Sequence, residues 1–144
     1  MSLKLGIFER RFPNQVGDLG RVTEETVRFL EEHGAGNQAV YAVHLSIEEL
    51  VTNIIKYGYD DGLDHRILID ASLRGGDLVL RIVDDGHEFD PLAAPPPDFE
   101  VPMEERSVGG LGIHLLKKLA RSVAYQRADG KNVLTVCIEL EPRS

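Results

Sequence analysis

Between Val16 and Val83 the apolar residues change from a helical period to a strand period, and that change constrains the fold more than any other feature of the chain. After Pro13, the residues Val16, Leu19, Val22, Thr26, Phe29 and Leu30 recur at helical spacing, and the run stops at His33-Gly34-Ala35-Gly36. Asn37 is placed to cap a second helix reaching about Tyr57, with Val40, Val43, Ile47, Leu50, Val51 and Ile54 on one face. Beyond the turn-forming Gly58-Tyr59-Asp60-Asp61-Gly62, the runs His65–Leu73 and Asp77–Val83 flank Arg74-Gly75-Gly76, a hairpin signal. A Pro-rich connection over 91–107 leads to a helix expected from Leu111 to Arg121, then to strands Ser122–Arg127 and Asn132–Leu140 around Asp129-Gly130-Lys131. Alternation at Leu3, Leu5 and Ile7 suggests a short strand at the start. Helices and hairpins in this order predict an α+β two-layer sandwich, with helices on one face of a mixed, mostly antiparallel sheet.

A chain of 144 residues with 42% apolar residues suits one domain over 1–144, with a lid at about 91–108. Roughly two thirds of its unfolded surface would be buried, enough for a core without metal or disulfide staples. Cys137 is the single cysteine, which excludes an intrachain disulfide and a cysteine zinc cluster; in its apolar run it reads as a small buried hydrophobe. Sixteen Lys and Arg against 24 Asp and Glu give a net charge of −8, which disfavours direct nucleic-acid binding. No run approaches the ~20 apolar residues of a membrane span, and the start lacks the apolar core of a signal peptide, so a cytoplasmic protein is expected.

Three groups of residues are able to carry chemistry. At ~100° per residue, Ala42, Ser46, Glu49, Asn53 and Lys56 form a second stripe on the second helix, away from the apolar one. Glu49 and Asn53 stand one turn apart, so a carboxylate and an amide oxygen face the same way and suit a hydrated Mg²⁺ or a base beside it. The same stripe also fits a plain solvated face. Asp84-Asp85-Gly86 follows a strand, where a carboxylate can accept from an exocyclic amine and a glycine lets a flat ring approach; an acidic turn is the simpler account. Gly109-Gly110-Leu111-Gly112 opens a helix and exposes N–H groups suited to phosphate, or is merely a flexible turn. No P-loop, dinucleotide fingerprint or nucleophile elbow is present. His44 and Glu48 share an i, i+4 spacing but lack the rest of a metal motif, and Glu48 sits ~100° around the helix from Glu49.

Taken in order, Glu49-Leu50-Val51-Thr52-Asn53, Asp84-x-Gly86 and Gly110-Leu111-Gly112 resemble the N, G1 and G2 boxes of the GHKL superfamily, the Bergerat-type ATP-binding fold. Within it the chain is most similar to bacterial anti-sigma factors with serine/threonine kinase activity, through its size, Ile54-Ile55-Lys56-Tyr57-Gly58-Tyr59 after the first box, and Phe89-Asp90-Pro91-Leu92 after the second. The resemblance implies ATP and Mg²⁺ as cofactors. By the same resemblance, Glu49 would be the general base toward a substrate serine and Asn53 would ligate Mg²⁺. Asp84 would receive the adenine amine, Gly86 would line the base pocket, and Gly110 and Gly112 would face phosphate oxygens. Arg106, in the lid, would reach the terminal phosphate. One departure is Glu88, which stands where the G1 box often has a second glycine.

The implied function is an ATP-dependent protein-serine kinase and anti-sigma factor in a partner-switching system. Its implied partners are a sigma factor and an anti-sigma-factor antagonist, with homodimerisation expected and no membrane. The acidic charge agrees with a basic partner surface. The alternative is a non-catalytic, nucleotide-gated module that regulates a partner by contact.

Overall fold

The computed structural model describes residues 7–93 and 110–140. Five strands form one sheet, ordered β1-β2-β3-β5-β4: β1 is Ile7–Pro13, β2 Arg66–Arg74, β3 Asp77–Asp84, β4 Ser122–Ala128 and β5 Lys131–Glu139. Every neighbouring pair is antiparallel, so the expected parallel component is absent among the described residues. The helices are α1 (Leu19–Glu32), α2 (Asn37–Ser46), α3 (Thr52–Tyr57) and α4 (Gly110–Leu119). Helices on one face of an antiparallel sheet make the two-layer α+β sandwich that the sequence predicts.

Both β-hairpins are closed by two-residue loops that each contain a glycine at positive φ. Gly75 has φ 60° between Arg74 and Asp77, while Asp129 and Gly130 have φ 54° and 74° between Ala128 and Lys131. Such left-handed turns match the twist of the strands they join. Along β3, Leu78, Leu80 and Ile82 are fully buried and face the helices, alternating with Val79, Arg81 and Val83. In β5 the inward set is Asn132, Leu134, Val136 and Ile138. Buried hydroxyls are satisfied locally: Thr23 and Thr26 donate to the carbonyls of Leu19 and Val22, and Ser46 to that of Ala42.

The strand expected around Leu3, Leu5 and Ile7 falls almost wholly on residues 1–6, outside the described residues, and the described strand runs from Ile7 to Pro13. The helix expected from Asn37 to about Tyr57 is present, with a single π turn, Ile47–Val51, between α2 and α3. Two expectations need correction. Gly36, not Asn37, occupies the cap position, and Asn37 is the first helical residue. Cys137 is half-buried on the sheet face away from the helices, because β5's alternation turns Val136 and Ile138 inward instead. Its thiol lies 3.9 Å from Asp77, and burial followed by that carboxylate pushes its pKa up.

Leu80 sits at the centre of the core on a central strand. Leu80→Ala is expected to lower the unfolding free energy by about 2–5 kcal/mol, measured as a reduced midpoint in urea at unchanged slope.

Candidate functional site

The site begins at the C-terminal end of β3, where Asp84 is only 3% exposed. Its Oδ1 accepts from the Gly86 backbone N–H (2.9 Å) and from Asn132 Nδ2 (3.0 Å). Desolvation raises the Asp84 pKa first of all; those two donors and the Arg127 charge oppose it, while Asp85 adds to it. Gly86 lies against the carbonyl of Gly58, and a Cβ there would collide with that oxygen. Gly58 is confined in turn, since its own Cβ would stand 2.7 Å from the Ile54 carbonyl. The His87 N–H donates to Gly58 O at 2.9 Å, which pins the turn to the end of α3. Glu88 is exposed and does not line the pocket described below.

Asp84, Asn53 and Gly58 line one cavity together with Leu50, Ile54, Phe89, Pro91, Asn132 and Leu134. In the described residues its free volume is about 10 Å³, room for roughly one water. Phe89 on its rim is 41% exposed, and Lys117 of α4 donates to the Leu92 carbonyl at 3.0 Å, closing the same side. A far more spacious cavity, about 740 Å³, lies at the other end of the sheet beside His33, Gly76, Arg121 and Glu139. It shares no residue with this site.

Glu49 projects from the π turn toward the start of α4. A Cβ on Gly112 would overlap its Cγ, Cδ and Oε1, so glycine at 112 is what allows the carboxyl to lie there. Burial and the neighbouring Glu48 raise the Glu49 pKa, and Lys56 partly opposes them. The second helical stripe is therefore not a solvated face. Ala42, Ser46 and Asn53 are buried, and α4 packs against α2 and the π turn.

The structure thus sets Asn53 and Asp84 in the lining of one pocket, holds Gly86 behind it against Asp84 and Gly58, and sets Glu49 against Gly112, while Gly110 begins α4. Arg106 and most of the expected lid, 94–108, lie outside the described residues. His44 and Glu48 are exposed, and no cluster of three metal-ligating side chains occurs among the described residues. The sequence reading did not single out Asn132, Tyr125, Arg127 or His65. A signal for Asn132 was available: it is the one polar residue in the inward set of an otherwise apolar strand.

The model of the histidine kinase-like ATPase domain matches residues 12–138. The chain belongs to that family. It is also similar to a serine/threonine-protein kinase, BtrW, of Bordetella bronchiseptica, with 29% identity over 106 residues that make up 72% of this chain and 73% of the relative. A crystal structure of the RsbU and RsbW domains of Rv1364c from Mycobacterium tuberculosis superposes with a TM-score of 0.68 at 18% identity. That match covers 94% of this chain and only 32% of the other, and it supports the fold alone.

In this family member a second cluster borders the pocket. The His65 ring sits between two carboxylates, with Nε2 2.8 Å from Asp61 and Nδ1 3.1 Å from Asp85, and it stacks on Tyr59 at 4.3 Å. His87 pairs with Asp60 at 3.3 Å across the same junction. The Tyr59 hydroxyl is buried without a hydrogen-bond partner among the described residues, and burial followed by the Asp84 and Asp85 charges pushes its pKa up. His65 is held above its ordinary 6.5, chiefly by its hydrogen bond to Asp61 and also by Asp85, with desolvation opposing. A raised histidine pKa means stability that is complete below about 6.5 and lost as pH rises through the folded value. His65→Asn should therefore flatten the decline in unfolding free energy on the alkaline side of 6.5, measured by urea titration across pH 5.5–8.5.

Proposed function

We propose that the chain is an ATP-dependent protein-serine kinase that also serves as an anti-sigma factor, phosphorylating an antagonist protein in a partner-switching system. The observation that carries this reading is Glu49, a carboxylate of raised pKa seated against Gly112 in the first turn of α4, one helical turn from the buried Asn53. The residues fit an adenine nucleotide. Asp84 offers a buried carboxylate, Leu50, Ile54 and Leu134 supply apolar walls, and Gly86 removes the side chain that would obstruct the turn. A purine needs more space than 10 Å³, so binding requires the Phe89–Pro91 side to separate from Leu134; the exposure of Phe89 makes that side the cheaper one to move.

Bound ATP with Mg²⁺ supplies the phosphoryl group and the electrophilic phosphorus. Asp84 orients the base. Asn53 Oδ1 provides a hard oxygen for the cation, which ordinarily takes its other ligands from phosphates and water. Gly110 and Gly112 direct backbone N–H groups of the α4 N-terminus toward phosphate oxygens. Glu49 accepts the proton of the substrate serine hydroxyl, and its raised pKa brings it nearer the working pH than an exposed glutamate would be. Arg106 is proposed to approach the terminal phosphate from the lid. The partners are a sigma factor and an anti-sigma-factor antagonist; a net charge of −8 suits a basic surface on the sigma factor.

Two variants test the assignment. Asp84→Asn should weaken Mg·ATP binding by ~10–100-fold, the loss of one charge-assisted hydrogen bond, read by calorimetry. Glu49→Gln should retain Mg·ATP binding while phosphoryl transfer to the antagonist falls by about 10²–10⁴-fold, read by radiolabel transfer. Full partner regulation by Glu49→Gln, with no transfer by the wild type, would replace the kinase with a nucleotide-gated binding module.

The contact between Glu49 and Gly112 gives a further expectation. Gly112→Ala must displace the Glu49 carboxyl, so the turnover number should fall more than Mg·ATP affinity does. Equal loss in both would assign Gly112 to phosphate contact alone.

A further inference from the structure

Asn132, the first inward residue of β5, is 4% exposed and has its amide orientation determined by its neighbours. Its Oδ1 accepts from Tyr125 OH at 2.6 Å, Arg127 NH1 at 3.2 Å and the Phe89 N–H at 3.4 Å. Its Nδ2 donates to Asp84 Oδ1 at 3.0 Å and to the His87 carbonyl at 2.6 Å. The reversed amide would set its NH₂ against a guanidinium and a backbone N–H, and its oxygen against a carboxylate and a carbonyl. Only one orientation is therefore compatible with the network, and it presents a donor to Asp84.

This donor has a consequence for recognition. With the Asn132 and Gly86 N–H groups both directed at Oδ1, Asp84 is favoured as a carboxylate, which can only accept, at a residue that lines the pocket. Burial acts the other way, toward a protonated carboxyl that would donate. We propose that Asn132 is a specificity-determining positioning residue: by holding Asp84 as an acceptor, it makes the pocket select a purine carrying a 6-amino donor over one of the same shape carrying a 6-oxo acceptor. Arg127 supports this from the same strand pair, since its NH1 also donates to the Gly86 carbonyl at 2.8 Å and fixes the turn that supplies the second donor. The inference rests on the reading of this pocket as an adenine-nucleotide site.

ATP and inosine triphosphate differ at the 6-position in this way, and their Mg²⁺ complexes are the probes. Calorimetry on the wild type should show ATP bound more tightly than inosine triphosphate by at least about 10-fold, one charge-assisted hydrogen bond. Asn132→Asp places a second carboxyl beside Asp84; near neutral pH the pair does not fully ionise and shares a proton, allowing Asp84 to donate. The ATP preference should then shrink several-fold near neutral pH and recover as pH rises. Asn132→Leu, which keeps the volume but removes the donor, should also reduce the preference. It should raise the pH at which the Asp84 carboxyl titrates in the unliganded protein, followed by carbon-detected NMR. A purely structural role would weaken both nucleotides equally and leave their ratio unchanged.

Wild-type protein that binds neither nucleotide would overturn the nucleotide reading and this inference together. Wild-type binding with a preference that survives intact in both folded variants would overturn the inference alone. If neither variant folds, the wild-type titration decides: an Asp84 carboxyl still protonated at pH 7 contradicts the proposal, and an ionised one supports it.

Discussion

A carboxylate buried at the end of the central strand governs the geometry of the site. Removing Asp84 from water is unfavourable unless its oxygens meet donors, and the fold brings two to Oδ1. One comes from the tight turn after β3, which closes only because residue 86 has no side chain to strike the Gly58 carbonyl. The other comes from β5, whose register sets Asn132 opposite Asp84. Asn132 is held by Tyr125 and Arg127 of β4, so three strands converge on that one oxygen. A hydrogen-bonded network of this kind resists partial change, because each lost member leaves a buried polar group unpaired.

The second determinant is the π turn at Ile47–Val51. Helix α2 has to bury one face on the sheet and another under α4, as Ala42, Val43 and Ser46 show. A helix serving two layers cannot also show a fully solvated stripe, and the wider turn is where Glu49 leaves the packing to meet Gly112. Interruptions of this kind concentrate at functional sites, where a side chain must be aimed without ending the helix. The cost is modest, since α3 resumes immediately and Asn53 remains buried at the pocket.

These two determinants explain what was legible in the sequence. Elements with one strong period, such as β3 and α1, are found within one to three residues at each end, because burial on a single face imprints alternation or a stripe. The start of the sheet was harder. In β1, Glu9, Arg10 and Arg11 break the expected alternation, and Arg10 is tolerated beneath α1 because it lies over the Phe8 ring at 4.3 Å and pairs with Glu25 at 3.0 Å. Asp84, Gly86 and Asn53 were visible as residue types suited to a ligand, while the contact of Glu49 with Gly112 is a tertiary fact that no spacing encodes. The readings of Cys137 and Asn132 share one cause. Both sit in β5, where the period of Leu134, Val136 and Ile138 turns Asn132 inward and Cys137 outward, and the apolar run around Cys137 masks that period.

The His65 cluster shows how the pocket's two halves are made to act together. The end of α3 carries one wall and the turn after β3 carries another, and covalently they are separated by a whole strand pair. Backbone contact at Gly58 joins them at one point. His65 and His87 add ion pairs that join the loop after α3 to the turn at two more, through Asp85 and Asp60. Both carboxylates are largely solvent-exposed, so each pair contributes little to global stability on its own. Their effect is instead one of register. While His65 is charged, the loop cannot swing away from the turn without separating an imidazolium from Asp85, so a displacement that opens the pocket must come from the Phe89–Pro91 side, where no such ion pair is present among the described residues.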